Sequence, residues 1–258
     1  MPLISVIVTT HNRPNLLIRA LNSLLSQEFK DFEIILCADE AIIDTKEIAF
    51  KLLRVTDSFI SVPNCKGPAG TRNLGISIAS GKYICFLDDD DSYPSGYLLA
   101  ASNFLTTTNQ LHYFNYNEIM EDREDLQPNN DAMIQRDIGK FLIERLMISN
   151  FIPNNALFIP NHIANANQFD IRLQSHEDWD FLISLKSKDY AFKHHDIFGP
   201  NVHVSKGKSR NNDARISNSI GLDFLSIYRK WPSDSEAVRI ARAETLKSLG
   251  VGMLPHFL

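Results

Sequence analysis

Two hydrophobic rhythms take turns along the first hundred residues. Leu3-Ile4-Ser5-Val6-Ile7-Val8 is a near-continuous apolar run of strand length, the pattern of a sheet covered on both faces. Thr9-Thr10-His11-Asn12 follows, with Asn12 placed to cap a helix and Pro14 suited to its first turn. Leu16, Leu17, Ala20, Leu21, Leu24 and Leu25 then recur at helical spacing, which predicts an amphipathic helix over about 13–27. The alternation continues with a strand at Phe32–Cys37, a helix over about Thr45–Arg54 and a short strand at Ser58–Val62. Gly67-Pro68-Ala69-Gly70 opens a helix running through Ala79, and Tyr83–Leu87 is the fourth strand. Strands separated by helical crossovers imply a mostly parallel sheet flanked by helices, an α/β architecture with right-handed connections.

Beyond residue 110 the rhythm loosens. Leu111–Met120 reads as a strand, Ile138–Ser149 as a helix, Asn155–Ile159 as a short strand and Asp178–Ser187 as a helix. Tyr190–Val204 holds one or two strands, and the tail is helical, with an apolar stripe over Ile216–Trp231 and a second helix over Ser233–Leu249. The chain therefore divides into 1–110, 111–215 and a helical 216–258. Glu121–Asp131 and Ser205–Arg215 are its polar, apolar-poor stretches.

Charge and composition narrow the partners. Twenty-six Lys and Arg face 31 Asp and Glu among 258 residues, a net charge of −5, so no basic excess exists to neutralise a nucleic-acid backbone. Cys37, Cys65 and Cys85 form no CxxC pair and read as reduced thiols. No apolar run reaches the ~18 residues of a membrane span, and the amino terminus lacks a basic leader, so a cytoplasmic protein is expected. The stripe at Ile216–Trp231 suits packing or a homodimer contact. The helix after it mixes Asp234 and Glu236 with Arg239 and Arg242, which allows peripheral membrane contact at most.

Parallel sheets bind ligands beyond the carboxyl ends of their strands, so the residues at those ends carry the functional reading. They are Thr9–Asn12, Asp39, and Asp88-Asp89-Asp90-Asp91. Consecutive carboxylates at the tip of a buried strand repel one another, and a hard divalent cation relieves that repulsion; Mg²⁺ characteristically takes one or two carboxylates plus substrate phosphates. Asp91 or Ser92, ahead of Pro94, reads as a helix cap. Asp39 is either a turn residue or a carboxylate held over a base or ribose. The absence of GxGxxG after the first strand favours a mononucleotide without a glycine cradle. Arg72 is placed to reach a pyrophosphate or to pair with the aspartates. Glu177-Asp178 is the second acidic signal: Ser175 with Asp178 matches a capping box, and a carboxylate there also suits a general base for a sugar hydroxyl.

These segments together resemble glycosyltransferase family 2. The resemblance is carried by Ser5-Val6-Ile7-Val8-Thr9-Thr10-His11-Asn12-Arg13-Pro14, Leu25-Ser26-Gln27, Gly67-Pro68-Ala69-Gly70-Thr71-Arg72-Asn73, Gly81–Asp91, Phe169-Asp170 and His176-Glu177-Asp178-Trp179-Asp180-Phe181, in that order over about residues 2–205. In outline it is closest to the short bacterial members that resemble the spore-coat polysaccharide enzyme. It implies the GT-A fold of nucleotide-diphospho-sugar transferases, in which a nucleotide-binding half and an acceptor half form one continuous domain. It also implies an inverting transfer from a nucleotide-sugar, UDP-linked by preference, to a glycan or lipid-linked acceptor in surface polysaccharide synthesis.

By position, the resemblance gives Thr9, Asn12 and Asp39 to the nucleoside, with Asp39 at the uracil, and Asp89 to the ribose. Asp90 and Asp88 would hold Mn²⁺ or Mg²⁺ on the diphosphate, with His203 as a further metal or phosphate ligand, and Arg72 would steady base or phosphate. Asp178 would be the catalytic base, with Glu177 beside it. Ala38 departs from the family, which often has a second Asp there. The basic loop Ser205–Asn212 is expected either as a lid over the diphosphate or as a solvated loop. Two other readings stand beside this one. Asp88-x-Asp90-x-Ser92 loosely fits a haloacid dehalogenase-type phosphohydrolase with Asp88 as nucleophile, and the domain could be a catalytically silent glycan- or nucleotide-binding module.

Overall fold

The computed structural model describes residues 1–39, 42–63, 65–106, 109–121, 128–173, 175–205 and 214–258. The first half follows the predicted alternation closely: β1 (Ile4–Thr10), α1 (Pro14–Leu25), β2 (Phe32–Ala38), α2 (Ile43–Leu52), β3 (Ser58–Ser61), α3 (Gly67–Ile78), β4 (Tyr83–Asp88) and a short α4 (Tyr97–Ser102). The second half comprises β5 (Gln110–Glu121), β6 (Pro128–Arg136), β7 (Leu157–Pro160), α5 (Asn161–Ala166), α6 (Glu177–Ser187), β8 (Ala191–Ser205), α7 (Ala214–Lys230) and α8 (Glu236–Ser248).

The strands form one sheet in the order β3-β2-β1-β4-β7-β5-β6, with β8 also paired to β5. The block β3-β2-β1-β4 is parallel throughout. From β7 outward the sheet is mixed: β7 runs antiparallel to β4 and to β5, β6 antiparallel to β5, and β8 parallel to β5. β5 meets β7 near its start and β6 near its end, while β8 pairs along its whole length across register shifts at Phe114–Asn117.

Strand alternation divides the core between the two faces of this sheet. Val6, Val8, Ile34, Leu36, Cys85 and Leu87 pack with Leu17, Leu21 and Leu24 of α1 and Leu98 of α4. Ile7, Ile35, Ile84 and Phe86 face the other way, against Ile76 of α3, Trp179 and Leu182 of α6 and Tyr228 of α7. α3 lies so close to β1 that a Cβ on Gly75 would stand 2.5 Å from Ile7 Cγ2. Cys37, Cys65 and Cys85 are all unpaired thiols, and burial pushes Cys37 up to about 12.

One expectation of the second half is corrected. Ile138–Ser149 is not an α-helix; only a 3-10 turn at Ile143–Met147 forms. The carbonyls at its end accept from side chains of later elements: Trp179 Nε1 donates to Leu146 O, Arg242 Nε to Met147 O and Tyr228 Oη to Ile148 O, each at 2.7 Å. β6, in the polar Pro128–Arg136, has no apolar pattern of its own and exists through its ladder with β5. The candidate lid Ser205–Asn212 lies, beyond Ser205, outside the described residues.

Candidate active site

The parallel register brings Thr9, Cys37 and Asp88 level at the carboxyl edge of the sheet. Asp39 extends β2 by one residue, its N–H donating to Thr10 O at 3.2 Å and its Oδ1 accepting from Cys65 N at 3.0 Å. The three strand-end signals therefore converge at one edge, as the topology predicted. Asn12 does not cap α1: Arg13 occupies the cap position without a side-chain bond, and Asn12 adopts φ +53°, a left-handed turn that Asn tolerates.

The four aspartates have separate environments. Asp88 Oδ1 accepts from Thr9 Oγ1 and Arg72 Nη2, both at 2.8 Å. Burial pushes this carboxyl up, but the Arg72 charge and these hydrogen bonds outweigh it and hold Asp88 below the ordinary carboxylate range. Asp89 is fully buried, accepting from Thr10 Oγ1 at 2.6 Å and ion-paired with Arg13; burial pushes it up to about 6, with Asp90 and Asp88 adding to the rise. Asp90 pairs with Arg13 Nη1 at 2.9 Å. Asp91 caps no helix. Its Oδ1 accepts from His203 N at 2.9 Å and its Oδ2 from Asn155 Nδ2 at 2.7 Å, so it ties the β4 tip to β8 and to the loop before β7; α4 begins only at Tyr97.

Arg72, itself 5% exposed, joins the two acidic signals: Nη2 holds Asp88 and Nη1 holds Glu177 Oε1 at 2.6 Å. Pairing with the aspartates is one of the two sequence readings for this arginine. Asp178 accepts from Trp179 N at 2.8 Å on Oδ1 and from Asn150 Nδ2 at 2.9 Å on Oδ2. Burial, and then Glu177, raise this carboxyl, with Arg72 opposing. The capping box is not formed. His176 holds the cap position at φ +58°, and Ser175 Oγ turns to Asp223 Oδ2 at 2.5 Å and His176 Nδ1 at 2.8 Å. A cleft of about 270 Å³ separates the two acidic centres, lined among others by Arg72, Asp88, Pro153, Asn154, Glu177 and Asp178. A larger groove of about 560 Å³ on α8 contains none of the predicted site residues.

His203 has both ring nitrogens engaged, with Glu121 Oε2 at 2.8 Å and Ser92 Oγ at 3.0 Å; burial lowers its pKa despite the nearby Glu121. Glu121 in turn accepts from Arg19 Nη1 at 2.5 Å, and Arg19 Nη2 donates to Asp90 O at 2.5 Å. Arg13, Arg19, Glu121 and Asn150 were not singled out in the sequence. Arg13 stands in the Asn12-Arg13-Pro14 segment next to a predicted site residue, which was a usable signal. The partners of Glu121 and Asn150 lie far away in sequence, and only the β5–β8 pairing and the packing of α6 bring them close.

The donor set fits a hard divalent cation. Asp88 and Asp90 offer carboxylate oxygens with side chains 34% and 18% exposed, and the local carboxylates outnumber the guanidiniums of Arg13, Arg19 and Arg72. Among the described residues no three metal-ligating side chains converge.

Comparison with known proteins places this geometry. The model of Glycosyl transferase family 2 matches residues 5–168. Over 101 residues, 38% of the chain, it is 44% identical to the Campylobacter jejuni GalNAc(5)-diNAcBac-PP-undecaprenol beta-1,3-glucosyltransferase; the match spans about a third of that protein, 33% of its length. It is 26% identical over 237 residues, 89% of the chain and 84% of the relative, to the Escherichia coli UDP-Glc:alpha-D-GlcNAc-diphosphoundecaprenol beta-1,3-glucosyltransferase WfgD. The solved mannosyltransferase PcManGT of Pyrobaculum calidifontis, in complex with GDP-Man and Mn²⁺, shares the fold with a TM-score of 0.62 at 13% identity, covering 98% of this chain and 77% of that one. An α/β sheet of this order, its acids gathered at the carboxyl edge, is the GT-A architecture, and the chain belongs to glycosyl transferase family 2.

Proposed function

We propose that this protein transfers a sugar, with inversion, from a UDP-sugar to a hydroxyl of a lipid-linked glycan acceptor. The observation that carries the reading is the pairing across one cleft of a strand-end carboxylate, Asp88, with a separately held one, Asp178. The UDP preference and lipid-linked acceptor are supported by the name of WfgD, and the divalent ion by the Mn²⁺ bound to PcManGT.

In this reading residues 1–110 bind the donor, residues 111–215 bind the acceptor, and the helices of 216–258 brace the second half. Asp88 and Asp90 would hold Mn²⁺ or Mg²⁺, which when bound supplies Lewis-acid stabilisation of the departing diphosphate. Asp178 takes the proton of the acceptor hydroxyl as that oxygen bonds to the anomeric carbon. The bond from that carbon to the diphosphate oxygen breaks on the opposite face, and the electron pair leaves with the nucleoside diphosphate. Arg72 keeps Asp88 and Glu177 in register across the cleft. Asp39 stands at the nucleoside end. Thr9 acts through Asp88, to which its hydroxyl is committed, and His203 braces Asp90 through Glu121 and Arg19. No helix among the described residues is long and apolar enough to cross a membrane. The phosphohydrolase reading loses its support with the family match.

The test is release of UDP from a panel of UDP-sugars with Mn²⁺ and a polyprenyl-diphosphate-linked GlcNAc acceptor. One donor is expected to turn over in an acceptor-dependent manner, and Asp178→Asn is expected to bind UDP normally while losing transfer. Full transfer by Asp178→Asn would overturn the base assignment.

A further inference from the structure

The loop between the 3-10 turn at Ile143–Met147 and β7 touches both acidic centres. At its start, Asn150 Nδ2 donates to Asp178 Oδ2 at 2.9 Å; at its end, Asn155 Nδ2 donates to Asp91 Oδ2 at 2.7 Å. Between them Pro153 and Asn154 line the cleft. The root of the loop is fixed from outside, because the carbonyls of Leu146, Met147 and Ile148 are held by side chains of α6, α8 and α7. Asn150 is itself locked: its Oδ1 accepts from Ile152 N at 3.1 Å, so turning the amide over would break both of its bonds.

We propose that residues 150–155 form a strap that fixes Asp178 against the donor acids, and that Asn150 is the positioning residue for the base. This deepens the proposed transferase reading and rests on Asp178 being that base. With Trp179 N on one carboxylate oxygen and Asn150 on the other, the plane of the carboxylate is set, and a second lone pair on each oxygen stays open for the acceptor proton. Asn150 also favours the ionised form, since both groups bonding Asp178 are donors. The charged groups acting on this carboxylate are Glu177 and His176 on its own helix and Arg72 from α3. Asn150 is a neutral donor, so it orients this carboxylate without pairing it to a further charge.

The experiment is the pH profile of transfer by wild type, Asn150→Ala and Asn150→Asp, with thermal midpoints and UDP affinity measured alongside. Asn150→Ala is expected to lower kcat roughly tenfold or more through misorientation, with donor KM and UDP affinity unchanged. The acidic limb is expected to move to higher pH in Asn150→Ala and further in Asn150→Asp, where a like charge faces the base. A residue that only supports the fold would lower the thermal midpoint without this ordered movement. If Asn150→Ala fails to fold, the near-isosteric Asn150→Asp supplies the limb. Variants whose acidic limbs coincide with wild type would overturn the strap. Asp178→Asn separates the two claims: inactive Asp178→Asn beside wild-type-like Asn150 variants sinks only the strap, whereas active Asp178→Asn sinks the base reading beneath it.

Discussion

Arg72→Met removes the buried cation that joins the two acidic centres while keeping most of its volume. Arg72 is 5% exposed and bonds Asp88 and Glu177 at 2.8 and 2.6 Å. Removing one partner of a buried pair typically costs about 3–5 kcal/mol, because the charge left behind is uncompensated. Here the side chains of Asp88 and Glu177 are 34% and 13% exposed, so water offsets part of the loss, and the lower end, about 3 kcal/mol, is expected. At roughly 2–4 °C per kcal/mol for a chain of this size, the thermal midpoint falls by about 6–12 °C. The pH dependence has a definite sign. Arg72 holds Asp88 below its unfolded range, so the stabilisation is complete above the unfolded pKa of about 3.9 and is lost as pH falls below it. The gap between wild type and Arg72→Met should therefore be widest near neutrality and shrink as pH drops through 4. Urea denaturation followed by circular dichroism at pH 7.5 and at pH 3 measures both. A loss under about 1 kcal/mol at pH 7.5, or a gap that does not change with pH, would refute the view that this arginine braces the site electrostatically.

Two further perturbations probe the scaffold. His195 bonds His112 Nδ1 at 2.9 Å, and burial, with His112 adding, lowers its pKa to about 4. The unfolded chain therefore takes up that proton first, and stability should decline as pH falls from about 6.5 through about 4, by about 1–2 kcal/mol once partial exposure is allowed for. In His195→Phe that part of the decline should vanish from pH-dependent urea midpoints, and an unchanged slope would count against it. Gly75→Ala gains about 1 kcal/mol of helix propensity but sets a Cβ 2.5 Å from Ile7 Cγ2, so a net loss of about 1–2 kcal/mol is expected in the denaturation midpoint, and a gain would show that α3 can lift off the sheet freely.

The parallel half of the fold was legible because each of its strands is apolar enough to be recognised alone, as Ile4–Val8 and Tyr83–Leu87 show, and helical crossovers leave few topologies open. The same logic located the site, since strand ends bring Thr9, Asp39 and Asp88 together whatever the side-chain details. The second half was harder because its elements are made by partners. β6 is polar and pairs along β5, and over Ile138–Ser149, where the spacing suggests an α-helix, only a 3-10 turn forms, its end tied to Trp179, Tyr228 and Arg242. Caps failed for a related reason. Asn12, Asp91 and Ser175 are cap-type residues whose positions or side chains serve longer-range geometry: a left-handed turn, a tie to β8 and a bond to α7. Local chemistry names what a side chain can bond, whereas distant packing decides what it does bond.

Calorimetric titration of UDP into the wild-type chain and into Asp90→Ala, each with Mn²⁺ and then with EDTA, bears most directly on the proposed chemistry. Wild type is expected to bind UDP in Mn²⁺ and to lose that binding in EDTA, while Asp90→Ala binds weakly in both. Equal UDP affinity with and without the metal, or undiminished Mn²⁺-dependent binding by Asp90→Ala, would contradict a cation held at the tip of β4.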